Sequence, residues 1–180
     1  TMIYVTHDQE EAFFLSDEIV IMRQGKLVEK GPPEDLYVSP REAFTRGFVG
    51  RWNEFSGTVR NSTIETDVFD LDAPDELSHQ GQVRCYIRPT DVTIDHDGRA
   101  ADVPDTHTRI DGTVVSEGLL GELYELTIDI SGAVGDDIEI DREKELTVHT
   151  LEHLRYQRGA EISVFIDPET VQVYAEGEGG

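Results

Sequence analysis

The pattern of hydrophobic and polar residues predicts short β-strands over most of the chain. From Phe55 onward, short runs rich in β-branched and aromatic residues alternate with polar segments, which is typical of a small barrel or sandwich. Turn signals such as Asp111-Gly112 and Arg158-Gly159 separate these runs. No convincing internal repeat is evident, although the number of strands would allow a pair of small barrels. The predicted strands are Phe55–Arg60, Ile64–Phe69, Val83–Arg88, Val92–Ile94, Gly112–Ser116, Leu123–Ile130, Leu146–His149, Glu161–Ile166 and Val171–Tyr174.

The first fifty residues show a different pattern, in which helices and strands are mixed. Met2–Val5 is an uninterrupted β-rich apolar run, which suits a central strand covered on both faces. Asp8–Ser16 is predicted as a helix with acids in its first turn. Glu18–Lys30 is predicted as a hairpin that turns at Gln24-Gly25. Two further short helices are predicted, at Pro32–Tyr37 and Pro40–Phe48.

Charge divides the chain at the same place. The chain has 38 acids and 15 bases, which gives a net charge of −23. Nine acids and five bases lie in residues 1–50, whereas 29 acids and ten bases lie in residues 51–180. We therefore predict two domains, residues 1–50 and 51–180. Because salt screens the repulsion among so many carboxylates, the excess of acid indicates a protein from a halophile, haloarchaeal in type.

The composition excludes several classes of protein. The single cysteine, Cys85, cannot form an internal disulfide and is expected to be a packed thiol in a strand. No apolar run approaches the ~20 residues of a membrane span. Nucleic acid is excluded as a partner of the β domain, because phosphate binding relies on lysine and arginine and this part carries a large excess of acid.

Three segments resemble one known family, the importer ATPases of the ATP-binding-cassette (ABC) type that serve sugars, polyamines, ferric iron or oxyanions. Tyr4–Pro40 reads Y-V-T-H-D-Q-E-E-A-F-F-L-S-D-E-I-V-I-M-R-Q-G-K-L-V-E-K-G-P-P-E-D-L-Y-V-S-P, which resembles the end of their nucleotide-binding domain. Phe44–Gly57 (F-T-R-G-F-V-G-R-W-N-E-F-S-G) and Ile87–Val92 (I-R-P-T-D-V) resemble the passage into their transport-associated OB-like (TOBE) domain and part of that domain. The resemblance implies a mainly β fold, with a small OB-like barrel preceded by a short α/β remnant.

The same resemblance gives His7 a role. His7 would be the family's switch histidine, which lies beside the ATP γ-phosphate in the full-length subunit and hydrogen-bonds a phosphate oxygen or the attacking water. The residues alone would favour a surface or helix-capping histidine at this position. The resemblance also implies ATP and Mg²⁺ as cofactors of the full-length subunit.

Other motifs of the family do not occur in the sequence. The phosphate-cradling G-x-x-x-x-G-K-[ST] loop, the signature sequence, the magnesium-site acid and the catalytic glutamate all precede the switch histidine in the family, and this chain has none of them. We therefore expect that an amino-terminal part is absent from this chain and that the fragment neither binds nor hydrolyses ATP by itself.

The resemblance also implies partners and a location. Transmembrane permease subunits and a second copy of the ATPase subunit are the expected partners, and the expected location is cytoplasmic, peripheral on the inner face of the membrane. The β domain would serve regulation or subunit contact. The alternative is a stand-alone β module that senses a small oxyanion and has no ATPase activity.

Three smaller motifs have more than one interpretation. His149 and His153 have the i, i+4 spacing of a metal site on a helix, but neither the H-E-x-x-H order nor a third ligand is evident. Arg88–Val92 is expected to end one strand and turn into the next, with contact to an anion or a partner as the alternative for Arg88. Gly118–Gly121 is predicted as an apolar loop that could contact another chain.

Overall fold

A computed structural model describes residues 2–73, 81–96, 103–132 and 144–175. The chain divides into two compact units between Arg51 and Trp52. Among the helices of the described part, none is long and apolar enough to cross a membrane.

The first unit mixes short helices with one hairpin, much as the sequence predicts. Gln24 and Gly25 have φ angles of 51° and 77°, as the two central residues of a type I′ turn require. The elements are α1 (Gln9–Leu15), β1 (Ile19–Arg23), β2 (Lys26–Gly31), α2 (Pro33–Val38) and α3 (Ala43–Val49). Their small core consists of Ile19, Ile21, Leu36 and Val49.

The predicted strand at Met2–Val5 is not formed. Met2, Ile3 and Val5 are more than four-fifths exposed, and no strand is assigned there. A strand needs a hydrogen-bonding neighbour, and the described residues offer this segment none: β1 and β2 pair only with each other.

The second unit confirms the mainly β fold. Its described strands are β3 (Asn53–Arg60), β4 (Thr63–Thr66), β5 (Asp70–Asp72), β6 (Gly81–Ile87), β7 (Val92–Ile94), β8 (Thr108–Leu120), β9 (Leu123–Asp129), β10 (Glu145–Thr150), β11 (Glu161–Ile166) and β12 (Gln172–Ala175). They form two five-stranded sheets, in the orders β12-β6-β3-β4-β5 and β10-β9-β8-β11-β7. One continuous apolar core is built from strands of both sheets, with Ile64, Ile87, Leu126, Leu146 and Ile166 among its fully buried members.

The two sheets are related by an internal repeat that the sequence does not make evident. We call β3–β7 the first lobe and β8–β12 the second lobe. The last strand of each lobe crosses to the other: β12 pairs with β6, and β7 pairs with β11. A short 3₁₀ turn follows β6 at Pro89–Asp91, and a matching turn follows β11 at Pro168–Thr170. The segments I-R-P-T-D-V (87–92) and I-D-P-E-T-V (166–171) are thus structural equivalents.

Two glycines occupy equivalent places in this repeat. A Cβ atom on Gly57 would lie 2.8 Å from Ile64 Cγ2, and one on Gly112 would lie 2.6 Å from Ile128 Cγ2. The predicted turn at Asp111-Gly112 is therefore wrong. Gly112 lies inside β8, where the neighbouring strand approaches too closely for a side chain.

One further strand prediction and one loop prediction need correction. The prediction Ile64–Phe69 is too long, because β4 ends at Thr66 and β5 follows at Asp70–Asp72. The predicted loop at Gly118–Gly121 is mostly strand, because β8 continues to Leu120 and only Gly121 and Glu122 form the turn. Gly121 has φ of 63°, which suits the first position of a tight hairpin turn.

Candidate functional sites

His7 lies in the segment that leads into α1, and neighbouring side chains fix the backbone on both sides of it. Asp8 caps the helix, since its Oδ1 accepts from the backbone N–H of Glu11 at 3.1 Å. Thr6 Oγ1 accepts from the N–H of Asp8 at 3.0 Å and donates to Glu11 Oε2 at 3.2 Å. Tyr4 donates to the same oxygen at 3.0 Å, and this hydrogen bond raises the pKa of Tyr4. The predicted helix is confirmed, and Asp8 is its N-cap.

The surface around His7 is open. The His7 side chain is exposed, as are its apolar neighbours Met2, Ile3 and Val5, and Phe14 on α1 is 89% exposed. Several exposed large apolar side chains within one short stretch of the chain are typical of a contact surface rather than of a free one. His7 is thus held by its neighbours along the chain and presents its imidazole outward.

A pocket of about 520 Å³ lies on the sheet that contains β8 and β11. Arg109 Nε donates to Asp111 Oδ1 at 2.9 Å, and Ser163 Oγ donates to the same oxygen at 2.6 Å. The hydrogen bond from Ser163, together with the nearby Arg109 guanidinium, lowers the pKa of Asp111. The lining residues are Asp95, Arg109, Asp111, Gly112, Thr113, Asp129, Gly132, Glu161, Ile162 and Ser163.

The charge of this pocket is unsuited to an anion. Among the described residues that line it, four are acids and Arg109 is the only base. Asp129 is 4% exposed; its Oδ1 accepts from the N–H of Ser131 at 2.9 Å, while Oδ2 has no hydrogen-bond partner among the described residues. A negative field of this kind repels oxyanions.

A second polar site, which the sequence does not predict, is centred on Glu117 of β8. Glu117 Oε1 accepts from the backbone N–H groups of Leu154 at 2.9 Å and Arg155 at 3.2 Å, and Oε2 accepts from that of Tyr156 at 2.8 Å. Arg155 adopts a φ of 59°, in the left-handed region. Successive N–H groups that converge on one anion form a nest. A carboxylate at Glu117 is the only sequence signal for it, and that signal is weak.

The two histidines with metal-like spacing do not form a metal site. His149 lies on strand β10 rather than on a helix, and its Nε2 is 3.0 Å from Glu125 Oε2. His153 stacks on Tyr124, with 4.5 Å between the ring centroids. Across residues 2–73, 81–96, 103–132 and 144–175, no group of three or more His, Cys, Asp or Glu side chains is arranged to hold a metal ion.

Arg88 and Cys85 have packing roles. The Arg88 guanidinium lies 4.1 Å from the centroid of the Trp52 ring, and the N–H of Asp91 donates to the Arg88 carbonyl at 3.0 Å. This places Arg88 at the predicted turn between β6 and β7. Cys85 is fully buried, and burial raises the pKa of its thiol to about 12, so it is not a nucleophile at neutral pH.

Comparisons with known proteins agree with the resemblance in the sequence. No protein-family model matches the chain. The spermidine/putrescine import ATP-binding protein PotA of Borreliella afzelii is 29% identical over 176 residues, which are 96% of this chain and 44% of that protein. The sulfate/thiosulfate import ATP-binding protein CysA of Bacillus cereus is 31% identical over 176 residues, which are 97% of this chain and 45% of that protein. The chain therefore spans less than half the length of these two relatives.

A solved structure supports the fold of the β unit. The cytoplasmic molybdate-binding protein ModG, solved with molybdate bound, aligns with a TM-score of 0.53 and 18% identity, over 70% of this chain and 96% of that one. At this identity the likeness shows the OB-like fold alone. Along nearly its whole length, this chain is therefore similar to part of the import ATP-binding proteins.

Proposed function

We propose that this chain is the carboxy-terminal part of the ATP-hydrolysing subunit of an ABC importer. The observation that carries the proposal is the extent of the similarity: two alignments, each of 176 residues, span both units of the chain and match them to import ATP-binding proteins. The first unit would complete a nucleotide-binding domain, and the second would be its appended TOBE domain. The domain boundary at residues 50 and 51 belongs to the same proposal.

His7 is the residue of this chain that we propose acts on the nucleotide. In the full-length subunit it would contact the γ-phosphate of ATP. The phosphate-binding loop and the residues that bind Mg²⁺ would come from another part of that subunit. The cap and the side-chain bonds between Tyr4, Thr6, Asp8 and Glu11 support this role, since they fix the backbone at His7 while its imidazole stays exposed. A fixed hydrogen-bonding group stabilises a transition state without reorganisation.

The exposed apolar surface supports a partner for the first unit. Met2, Ile3, Val5 and Phe14 would be covered by the rest of the nucleotide-binding domain. The proposed external partners are transmembrane permease subunits and a second copy of the subunit, and the location is the cytoplasmic face of the membrane. The β unit serves regulation or subunit contact, in a salt-rich cytoplasm of haloarchaeal type.

Substitution of His7 in the full-length subunit tests this role. His7→Ala should lower kcat strongly and leave ATP binding nearly intact, because the contact matters chiefly in the transition state. His153→Ala, which removes an exposed histidine of the β unit, is the matched control and should leave kcat unchanged. An equal loss of ATP affinity, or an unchanged kcat, would contradict the role. The 180-residue chain alone should show no turnover of ATP above buffer.

The alternative function is a stand-alone module that senses an oxyanion. A molybdate-binding protein has a similar fold, but the four acids that line the pocket on the β8 sheet oppose the binding of an oxyanion there. Calorimetric titration of the chain with sulfate, molybdate, tungstate and phosphate separates the two. Saturable binding of one of these anions to the isolated chain would favour the sensor.

A further inference from the structure

In the segment that follows β10, residues 154–156 are bound to β8 through the Glu117 carboxylate. Glu117 is 37 to 39 residues away in sequence from the three amides that it binds. Two N–H groups point to Oε1 and one points to Oε2, so the amides define two adjacent oxygen positions. Such a set of donors is an anion site whatever molecule carries the two oxygens.

We propose that the backbone amides of Leu154, Arg155 and Tyr156 form an oxyanion-binding site in which the Glu117 side chain is the built-in ligand. A free oxyanion with two adjacent oxygens, such as formate, acetate or sulfate, binds there when the Glu117 carboxylate is removed. The site is separate from the acidic pocket, and the inference is independent of the proposed importer role.

The charge near the nest favours an anion, unlike that of the chain as a whole. Arg155 and Arg158 lie in the same short segment, although only 15 of the 180 residues are basic. Both side chains are exposed. The hydrogen bonds to Glu117 have lengths of 2.8 to 3.2 Å, which is the normal range for N–H···O bonds to a carboxylate. The donors are therefore already placed and need no rearrangement to accept a replacement.

The Glu117 carboxylate competes well with a free anion because it is part of the chain. An attached ligand acts at a high effective concentration, so millimolar formate does not displace it from the unsubstituted protein. Removing the carboxylate turns an intramolecular contact into an empty site of the same geometry. Chemical rescue of a truncated side chain then reports on that geometry directly.

The experiment compares Glu117→Ala with Glu122→Ala. Both variants lose one negative charge, but Glu122 is exposed in the turn between β8 and β9. Potassium formate is exchanged for potassium chloride at constant ionic strength, and the thermal midpoint and the ¹⁵N–¹H spectrum are recorded. We expect the midpoint of Glu117→Ala to rise saturably with formate, as ligand linkage requires, and the amides of 154–156 to shift in parallel. The unsubstituted chain and Glu122→Ala should not respond.

Two outcomes contradict the proposal. One is a formate response of Glu117→Ala that matches that of Glu122→Ala, and the other is a set of amide shifts that excludes residues 154–156. If Glu117→Ala is unfolded in chloride, recovery of a dispersed spectrum in formate supports the site. Glu117→Gln, which keeps one acceptor oxygen, is the second variant: it should respond more weakly than Glu117→Ala, and no response from either variant overturns the inference. Sulfate and acetate series then define the preferred oxyanion.

Discussion

The side chain of Asn53 forms two hydrogen bonds with the backbone of Thr147, much as a neighbouring strand would. The Asn53 side chain accepts from the Thr147 N–H at 2.7 Å through Oδ1 and donates to the Thr147 carbonyl at 2.8 Å through Nδ2. Asn53 begins β3 of one sheet, and Thr147 lies on edge strand β10 of the other. One side-chain amide therefore satisfies two backbone groups and joins the two sheets.

Asn53→Ala should destabilise the β unit by about 2 kcal/mol, because it leaves two backbone groups of Thr147 without their partner. Chemical denaturation of the chain measures this change. Gln82→Ala, which removes an exposed amide that donates to Thr58 Oγ1 at 3.3 Å, should cost less than about 0.5 kcal/mol. Equal effects of the two substitutions would show that the Asn53 bridge contributes nothing.

Gly112→Ala should destabilise the unit more than Gly118→Ala, although both glycines lie on β8. The new methyl group at 112 would meet Ile128 Cγ2 at 2.6 Å and the Asp129 carbonyl oxygen at 2.7 Å, whereas a Cβ at 118 meets nothing within 4 Å. Overpacking against a backbone carbonyl costs about 1–3 kcal/mol. Denaturation of both variants, with Gly57→Ala as the equivalent of Gly112→Ala in the other lobe, tests the difference. A stable Gly112→Ala protein would contradict the close approach.

Cys85 should make the protein less stable at high pH. Its thiol has a pKa of about 12 in the fold, against 9.0 for an unperturbed thiol. The folded state therefore keeps the proton in a range where the unfolded chain loses it, and this contribution, complete below pH 9, is lost as pH rises towards 12. From about pH 9 to about pH 10.5 the loss should be about 2 kcal/mol. The difference between this chain and Cys85→Ala across that range isolates the effect, and parallel pH curves would contradict it.

Salt should stabilise the chain. With 38 acids and 15 bases, repulsion among carboxylates weakens the fold at low ionic strength. Raising potassium chloride from tenths of molar to molar levels should raise the thermal midpoint, with most of the gain reached as the screening length approaches about 3 Å near 1 M. Sodium chloride should act alike, whereas a response to potassium alone would indicate specific ion binding. A flat or falling midpoint would contradict the halophilic interpretation.

Local patterns in the sequence predict elements better than they predict sites. Val92–Ile94 and Glu161–Ile166 are predicted with their observed bounds, because alternation and turn residues mark both ends. Asp70–Asp72 is missed because two of its three residues are acids, and a strand at the edge of a sheet can be this polar. Local patterns therefore identify strands that have a buried face.

Contacts between distant residues could not be predicted. Asn53 and Thr147 are 94 residues apart, and Glu117 lies more than 35 residues from each amide that it binds. Nothing in the neighbourhood of Asn53 or Glu117 distinguishes it from a surface polar residue. The role predicted for His7 has a different basis, because it follows from a family resemblance and not from local chemistry.

The exchange of last strands between the lobes has a consequence for synthesis of the protein on the ribosome. The first lobe cannot complete its sheet when its own residues emerge, because β6 pairs with β12 at the far end of the chain, where Tyr86 meets Gln172. The edge of β6 stays unpaired while β8 to β11 are synthesised, and an unpaired strand edge is a site of aggregation. Folding thus depends on contacts of long sequence separation, which form slowly. A nascent chain halted before Gln172 should therefore be the species that holdase chaperones bind.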